Sequence, residues 1–174
     1  MNKLYLLSFF LLLNGATIMA QETTTPVLNK SNRIILHLKD TTGLFTQLAR
    51  LLIDRGYDID MKDRELGILR TKPTPLRGGY SWSDQLEILT IFRDSTITFS
   101  GISYSTSISQ DLARYEIKSE VSYSKKWDRN IMLSWEEMMT IAELLKPMSI
   151  SYLPIDVSVP TKPIPPYQQY RRNN

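Results

Sequence analysis

Two adjacent stretches of alternating apolar and polar residues constrain the fold more than any other feature of this chain. They are QLEILTIFRD at 85–94 and TITFSGISYS at 96–105. In the first stretch the apolar residues fall on both faces of a strand, with Leu86, Ile88 and Phe92 on one face and Leu89 and Ile91 on the other. Such a strand is typical of the centre of a sheet, or of a sheet whose second face is covered. Because Asp94 and Ser95 can turn the chain, we expect an antiparallel hairpin, with a bulge or bend at Gly101.

A strand, a helix and a second strand are predicted upstream of this hairpin. RIILHLKD at 33–40 alternates, and LFTQLARLLIDR at 44–55 carries its leucines at helical spacing. Thr42 is a candidate N-cap for this helix, and Gly56 stands where a left-handed residue ends a helix. After Gly56, period two places Tyr57, Ile59 and Met61 on one face of the next strand.

An acidic cluster in that second strand, RGYDIDMKDRE at 55–65, allows three interpretations. The first interpretation, a calcium loop of the EF-hand type that starts at Asp58, is excluded. Such a loop needs an oxygen ligand at position 5, glycine at position 6 and glutamate at position 12, and these positions hold Lys62, Asp63 and Leu69. As a catalytic carboxylate pair, Asp58 and Asp60 would need a burial that nothing in the pattern indicates. The alternation and the turn-like DRELG, with Gly67 at its left-handed position, favour a solvated strand face followed by a hairpin turn.

The remainder of the chain gives mixed signals. Residues 73–84 form a long loop, and residues 106–124 fit either a helix or, preferably, a strand of period two. SWEEMMTIAELLK predicts a helix, with Ser134 and Glu137 as a capping box at its start and Pro147 beyond its end.

Four segments follow from the chain's organisation. Residues 1–20 have the layout of a secretory signal peptide, with a positive start, an apolar run and Ala20 at the cleavage position. Residues 21–31 are predicted to be a flexible leader, 32–150 a single α+β domain, and 151–174 a proline-rich disordered tail. The signal predicts export to the periplasm or envelope of a Gram-negative bacterium, and no later stretch is apolar enough to predict a transmembrane segment.

Composition excludes several kinds of chemistry. The sequence has no cysteine, so it offers no thiol nucleophile, thiolate metal site or disulfide. Its one histidine, His37, cannot build a multi-histidine metal centre, and an ordinary structural role is expected for it. Charges are nearly balanced, with 21 basic and 18 acidic residues, and nothing in them calls for nucleic acid. No nucleotide-binding or hydrolase motif occurs, so we expect no cofactor, no metal and no enzymatic activity.

The candidate partner contacts are aromatic residues in predicted loops and in the tail: Tyr80, Trp82, Trp127, Tyr167 and Tyr170. Exposed aromatic side chains could contact a protein or a glycan, although Trp82 could instead fold back on the core. The prolines of the tail favour an extended partner-binding segment, and a tail without a partner is the alternative. Asp40-Thr41-Thr42 and Asp94-Ser95-Thr96 resemble O-glycosylation triplets of exported Bacteroidetes proteins, but capping and turn roles explain both.

The predicted order is β-α-β-β-β-β-α, a two-layer α+β domain in which one long helix packs on an antiparallel sheet. The run LARLLIDRGYDIDMKDRELGILRTKP resembles the helix, glycine, strand, turn and strand unit of helix-grip or TBP-like domains. Similar units occur in the BamC-like assembly lipoproteins and in small secreted Bacteroidetes domains of unknown function. The lipoproteins begin with a lipidated cysteine that this chain lacks.

Three functional hypotheses follow. The first is a non-enzymatic envelope domain that binds a protein, peptide or glycan partner. The second is a helix-grip carrier that holds a small apolar ligand between helix and sheet, in a cavity lined by Phe45, Ile88, Phe99 and Tyr104. The third and weakest is a hydrolase that uses the acids of 58–65.

Overall fold

The alternating stretches build an eight-stranded antiparallel sheet in the computed structural model of this chain. The structure describes residues 21–40, 42–76, 78–79, 84–108, 114–124 and 129–154. Within these residues the fold is mixed α+β, as the sequence predicts. The elements are β1 (Ser31–His37), α1 (Leu44–Asp54), β2 (Ile59–Asp63), β3 (Ile68–Thr71), β4 (Thr74–Pro75), β5 (Gln85–Arg93), β6 (Thr96–Ile108), β7 (Arg114–Glu120), α2 (Arg129–Leu144) and β8 (Ser149–Pro154).

The strand order across the sheet is β2-β3-β5-β6-β1-β8. Two strands lie off this path, since the short β4 pairs with β5 beyond the end of β3, and β7 pairs with β6 beyond the end of β1. The order therefore contains strands that the prediction lacked, namely β4 and β8. The preference for a strand within 106–124 is confirmed by β7.

The β5–β6 hairpin is the centre of the sheet, as predicted. Its register runs without interruption from Arg93 opposite Thr96 to Gln85 opposite Tyr104, and Asp94 turns the chain with a φ of 48°. The expected bulge at Gly101 is wrong, because Gly101 stands in regular register opposite Ile88. The glycine serves close packing instead, since a Cβ there would lie 2.8 Å from the Sδ of Met138 on α2.

Helix α1 ends as predicted but begins differently. Gly43, with a φ of 76°, occupies the N-cap position and makes no side-chain cap hydrogen bond. The backbone N–H of Thr42 instead donates to Oδ1 of Asp40 at 2.7 Å. At the other end Gly56 is left-handed, and its N–H donates to the carbonyl of Ile53 at 2.9 Å. This arrangement satisfies a carbonyl that the helix end would leave without a partner.

Helix α2 begins at Arg129, upstream of the predicted capping box. Ser134 therefore lies inside the helix, fully buried, and its hydroxyl has no hydrogen-bond partner among the described residues. The carboxylate of Glu137 faces Arg55 at the end of α1 instead of the helix start. The predicted capping box is wrong because the preceding residues continue the helix.

Both helices cover the same face of the sheet and form one core with it. The largest fully buried side chains of this core are Phe99, Ile34, Leu36, Leu48, Leu52, Leu69, Leu86, Ile88, Ile97, Met138, Ile141 and Val121. The rings of Phe45 on α1 and Phe92 on β5 lie 5.0 Å apart at a tilt of 54°, a geometry that aromatic pairs favour. Both predicted helices therefore pack on the sheet, whereas one long helix was expected to do so.

The ends of the domain also differ from the predicted boundaries. Residues 151–154, placed in the tail by the sequence analysis, belong to β8, which pairs with β1. Thr23 of the predicted leader exchanges two backbone hydrogen bonds with Tyr152, at 2.9 and 2.8 Å. The leader therefore adds a short pairing to the outer edge of β8. Residues 155–174 lie outside the described residues.

Candidate functional site

The face of the sheet opposite the helices is the most open surface that the described strands share. Strand alternation directs Glu87 and Leu89 of β5 to this outer face, while Leu86 and Ile88 enter the core. Neither helix covers this face, because both contribute their buried residues to the core on the other side. Because neither of the described helices covers it, this face can form a binding surface.

A groove of about 610 Å³ lies on this outer face. It crosses β2, β3, β5, β6 and β7, and its lining is Met61, Ile68, Arg70, Glu87, Leu89, Ser100, Gly101, Ile102, Lys118 and Glu120. We call it the outer groove. Its floor is apolar, and its volume falls within the range of ligand pockets. Met61 and Ile102 remain 41% and 38% exposed, so apolar surface is available to a partner.

The β2 side of the outer groove is shaped by an irregularity in strand pairing. The register of β2 against β3 shifts between Ile59 and Met61. The prediction that Met61 shares a face with Tyr57 and Ile59 is therefore wrong, and Met61 is exposed. Asp60 accepts two hydrogen bonds through its Oδ2 from the guanidinium of Arg70, at 2.9 and 2.5 Å.

The middle of the outer groove is bordered by Tyr104, Glu87 and Lys118. The hydroxyl of Tyr104 donates to Oε2 of Glu87 at 2.5 Å, and the Lys118 ammonium lies 5.0 Å from the centre of the tyrosine ring. Burial, the hydrogen bond to Glu87 and the charge of that carboxylate raise the pKa of Tyr104 to about 12. Tyr104 therefore acts as a neutral hydrogen-bond donor that fixes Glu87.

The β7 side of the outer groove ends at Glu120. Its Oε1 accepts a hydrogen bond from the side-chain amide of Asn32 at 2.8 Å. Glu87 and Glu120 thus have neutral donors as partners, and among the described residues neither lies within 4.0 Å of a cationic group. The two cations of the groove, Arg70 and Lys118, each lie beside another carboxylate. The four charged residues that line the groove balance, and the excess of negative charge comes from Asp60 and Glu116 at its rim, which bind Arg70 and Lys118.

A second cluster joins the leader to the outer face of β8. Ser151 Oγ donates to Oε2 of Glu22 at 2.6 Å and lies 2.8 Å from Nε2 of His37, which is 3.2 Å from the same Glu22 oxygen. The serine oxygen and the carboxylate oxygen therefore lie beside the same ring nitrogen of His37. In a catalytic triad the acid binds the other ring nitrogen and the histidine accepts the serine proton. The cluster is therefore a clamp between chain segments.

The acidic cluster of 58–65 is solvent-facing, as the favoured interpretation predicts. Asp58, Asp60 and Glu65 are exposed. Asp63 accepts a hydrogen bond from the N–H of Leu66 at 2.9 Å and so stabilises the turn. No group of three or more potential metal ligands occurs among the described residues.

The five aromatic residues predicted as partner contacts, Tyr80, Trp82, Trp127, Tyr167 and Tyr170, all lie outside the described residues. The base of the loop that holds Tyr80 and Trp82 is described, and it is anchored. The N–H of Leu76 donates to the carbonyl of Asp84 at 2.8 Å, and the Asn130 amide donates to Oδ1 of Asp84 at 2.8 Å. Asp84 therefore ties this loop to the start of α2.

Sequence reasoning did not find the outer groove, although one signal pointed to it. Leu89 and Ile91 make the second face of β5 apolar, which predicts a covered face or a central strand. The structure shows that this strand is central and that its second face is open, so the apolar residues become the floor of a groove. Arg70 and Lys118 could not be added from the sequence, because their proximity depends on strand order.

The fold and this surface define the class: a two-layer α+β domain with an antiparallel sheet, two helices on one face and a groove on the other. No protein-family model, no curated protein and no solved structure matches the chain. Within the described residues, neither helix has the length and apolar character needed to cross a bilayer.

Proposed function

We propose that this chain is an exported, non-enzymatic domain of the periplasm or cell envelope that binds a protein, peptide or glycan partner through the outer groove. The observation that carries the proposal is the combination of an apolar floor with two carboxylates, Glu87 and Glu120, whose partners in the described part of the chain are neutral. An apolar surface with a few fixed polar groups is typical of binding sites. Export rests on the signal-like segment 1–20.

The non-enzymatic part of the proposal rests on the two clusters that could have supported catalysis. Asp58 and Asp60 are exposed at the sheet edge, and within the described residues neither acid lies in an enclosed cleft that could hold a substrate away from water. In the cluster of His37, Ser151 and Glu22 the acid and the serine share one histidine nitrogen, so the acid does not orient the histidine as it does in a triad. Neither arrangement supplies an activated nucleophile.

The alternative is a helix-grip carrier of a small apolar ligand. A ligand between helix and sheet would need space among Phe45, Ile88 and Phe99, and these three side chains are buried in the common core. Tyr104, the fourth residue expected to line that cavity, faces the outer groove instead, where it binds Glu87. The outer groove therefore supports a partner on the opposite face better than a ligand inside the core.

Site-specific cross-linking in the intact envelope tests this function. A photo-reactive amino acid at Ile102 places the probe in the outer groove, and one at Leu144 serves as a matched control on the helix side, with 48% exposure. We expect one reproducible partner at Ile102 and none at Leu144, with capture reduced when Leu89 is replaced by Arg. The identified partner should then bind the purified chain. Equal capture at both positions, or none at Ile102, would contradict the proposal.

A further inference from the structure

We infer that residues 155–174 of the chain itself occupy the outer groove when no partner is bound. The inference rests on the proposed function, because it makes this segment a competitor for the partner's site. The segment is IDVSVPTKPIPPYQQYRRNN. Its position along the chain, its charge and its residue types each match the groove.

The starting point of the segment lies beside one wall of the outer groove. Strand β8 ends at Pro154, which stands opposite Ser31 at the start of β1. The carbonyl of Ser31 accepts a hydrogen bond from Tyr123, just beyond β7, at 2.8 Å, and the adjacent Asn32 binds Glu120 of the groove wall. The chain therefore leaves β8 at the same end of the sheet as the Glu120 wall.

The segment is long enough to cross the groove. Strand β8 is separated from β6 by β1 alone, which corresponds to about 10 Å at the usual spacing between strands. Residues 155–170 span about 50 Å in a polyproline conformation. Tyr170 can therefore reach Ile102 with chain to spare, even along an indirect path.

The charges of the segment and of the groove are complementary. The segment carries Lys162, Arg171 and Arg172 against a single acid, Asp156. Among the residues that the structure describes, Glu87 and Glu120 of the groove have neutral hydrogen-bond partners only. A guanidinium is well suited to bind a carboxylate in two-point contact, so the arginine pair supplies the cations that these two carboxylates lack.

The residue types of the segment also suit a shallow apolar groove. Four prolines follow Pro154, at 160, 163, 165 and 166, and Tyr167 and Tyr170 come after them. Proline-rich segments lose little entropy when they bind in an extended form, and they dock in grooves lined by apolar side chains. A strand added to the edge at β2 is less favoured, because Asp58, Asp60 and Lys62 are exposed there and charges oppose edge pairing.

A disulfide trap in the purified full-length chain tests the inference. The chain has no cysteine, so Ile102→Cys combined with Tyr170→Cys introduces the only two thiols. Oxidised glutathione accepts the two electrons, and the two thiols lose their protons as the S–S bond forms. Met61→Cys is a second groove position in case Ile102→Cys does not fold, and Leu144→Cys with Tyr170→Cys is the matched control.

We expect the intramolecular disulfide to form at least about tenfold faster with the groove positions than with Leu144, because docking raises the effective concentration of the two thiols. Arg171→Glu with Arg172→Glu should remove most of that difference and leave the Leu144 control unchanged. Equal rates at groove and control positions would overturn the inference. If disulfides form only between two chains, the inference is wrong as well, because the groove is then occupied by residues 155–174 of a second copy.

This result separates the inference from the proposed function. The disulfide trap uses the isolated chain and needs no partner. The cross-linking experiment in the envelope does not require residues 155–174 to contact the groove. If Ile102 captures a partner and the trap shows no preference, the partner site stands and its occupation by residues 155–174 is wrong. If the disulfide forms preferentially at the groove positions and Ile102 captures no partner, the occupation of the groove by residues 155–174 stands and the proposed partner site is wrong.

Discussion

The guanidinium of Arg55 binds both carboxylate oxygens of Glu137, with Nε 2.9 Å from Oε1 and Nη2 2.7 Å from Oε2. Arg55 is the C-cap residue of α1, and Glu137 lies on the buried face of α2. The contact therefore connects the end of one helix with the middle of the other. The hydrogen bonds to Glu137 raise the pKa of Arg55, so the guanidinium stays protonated. Two-point binding also fixes the relative position of the helices.

Glu137→Gln should destabilise the fold strongly. Both side chains of the pair are mostly buried, with 18% and 10% of their surface exposed, so the variant removes the negative charge that binds the Arg55 guanidinium in two-point contact. Breaking a buried pair in this way costs about 3 kcal/mol. Urea unfolding measures the loss.

Asp60→Asn is the matched control, because it removes the same kind of two-point contact at an exposed site. The side chains of Arg70 and Asp60 are 40% and 39% exposed, and such pairs contribute less than about 1 kcal/mol. A loss of equal size in both variants would contradict the structural importance assigned to Arg55 and Glu137.

Gly101→Ala should destabilise the packing of α2 on the sheet. The added Cβ would lie 2.8 Å from the Sδ of Met138, 3.1 Å from Val121 and 3.2 Å from Leu86, and overpacking of this kind costs about 2 kcal/mol. Met138→Ala removes the closest of these atoms. In a double-mutant cycle we therefore expect the two substitutions together to cost at least about 1 kcal/mol less than the sum of the single effects. Strict additivity in thermal unfolding would show that Gly101 and Met138 do not meet.

The part of the fold that the sequence predicts is the part with a clear local period. The β5–β6 hairpin, α1 and the left-handed Gly56 all follow from alternation or from helix-end chemistry. The start of α2 does not, because Ser134 and Glu137 match a capping box in spacing while residues from 129 already continue the helix. The spacing alone cannot show that Glu137 binds Arg55, which lies 82 residues away in the sequence, instead of the helix start.

Strand β8 and the outer groove could not be predicted from the local sequence pattern for a different reason. SISYLP at 149–154 has only a short alternation, and prolines follow it. It becomes a strand because the edge of β1 is available for pairing. The groove likewise combines Arg70, Glu87 and Lys118 from strands far apart in the sequence, so their proximity depends on strand order and register. Contacts of this kind are set by the whole chain.

Tyr104 should ionise at a pH well above the usual tyrosine range. Its pKa of about 12 lies above the usual value near 10 because burial and the negative charge of Glu87 oppose the tyrosinate. The difference in absorbance near 295 nm between the unchanged chain and Tyr104→Phe isolates its titration. In Glu87→Gln the midpoint should move back towards 10.

The sign of the stability effect follows from this raised pKa. The native state holds the proton of Tyr104 more tightly than the unfolded chain, so the contribution is fully present below pH 10 and is lost between pH 10 and about 12. Relative to Tyr104→Phe, the unchanged chain should lose stability over that interval and not at lower pH. A normal midpoint near 10 would show that the contact between Tyr104 and Glu87 does not form in solution.

Glu22→Ala should loosen the leader from the edge of the sheet. The backbone N–H of Tyr152 points to the outer edge of β8, away from β1, and donates to the carbonyl of Thr23 at 2.8 Å. Glu22, next to Thr23, holds the leader in place through Ser151 and His37. An edge amide without a partner exchanges its hydrogen quickly, so protection of the Tyr152 amide reports leader docking. Loss of a contribution of about 1 kcal/mol should speed its exchange about fivefold.

The Leu89 amide, in the central hairpin, serves as the internal reference and should not change. Glu65→Ala, at an exposed turn, is the matched control variant. If the Tyr152 amide exchanges at the unprotected rate in the unchanged chain, the leader is free in solution, and the flexible leader expected from its sequence is the better description.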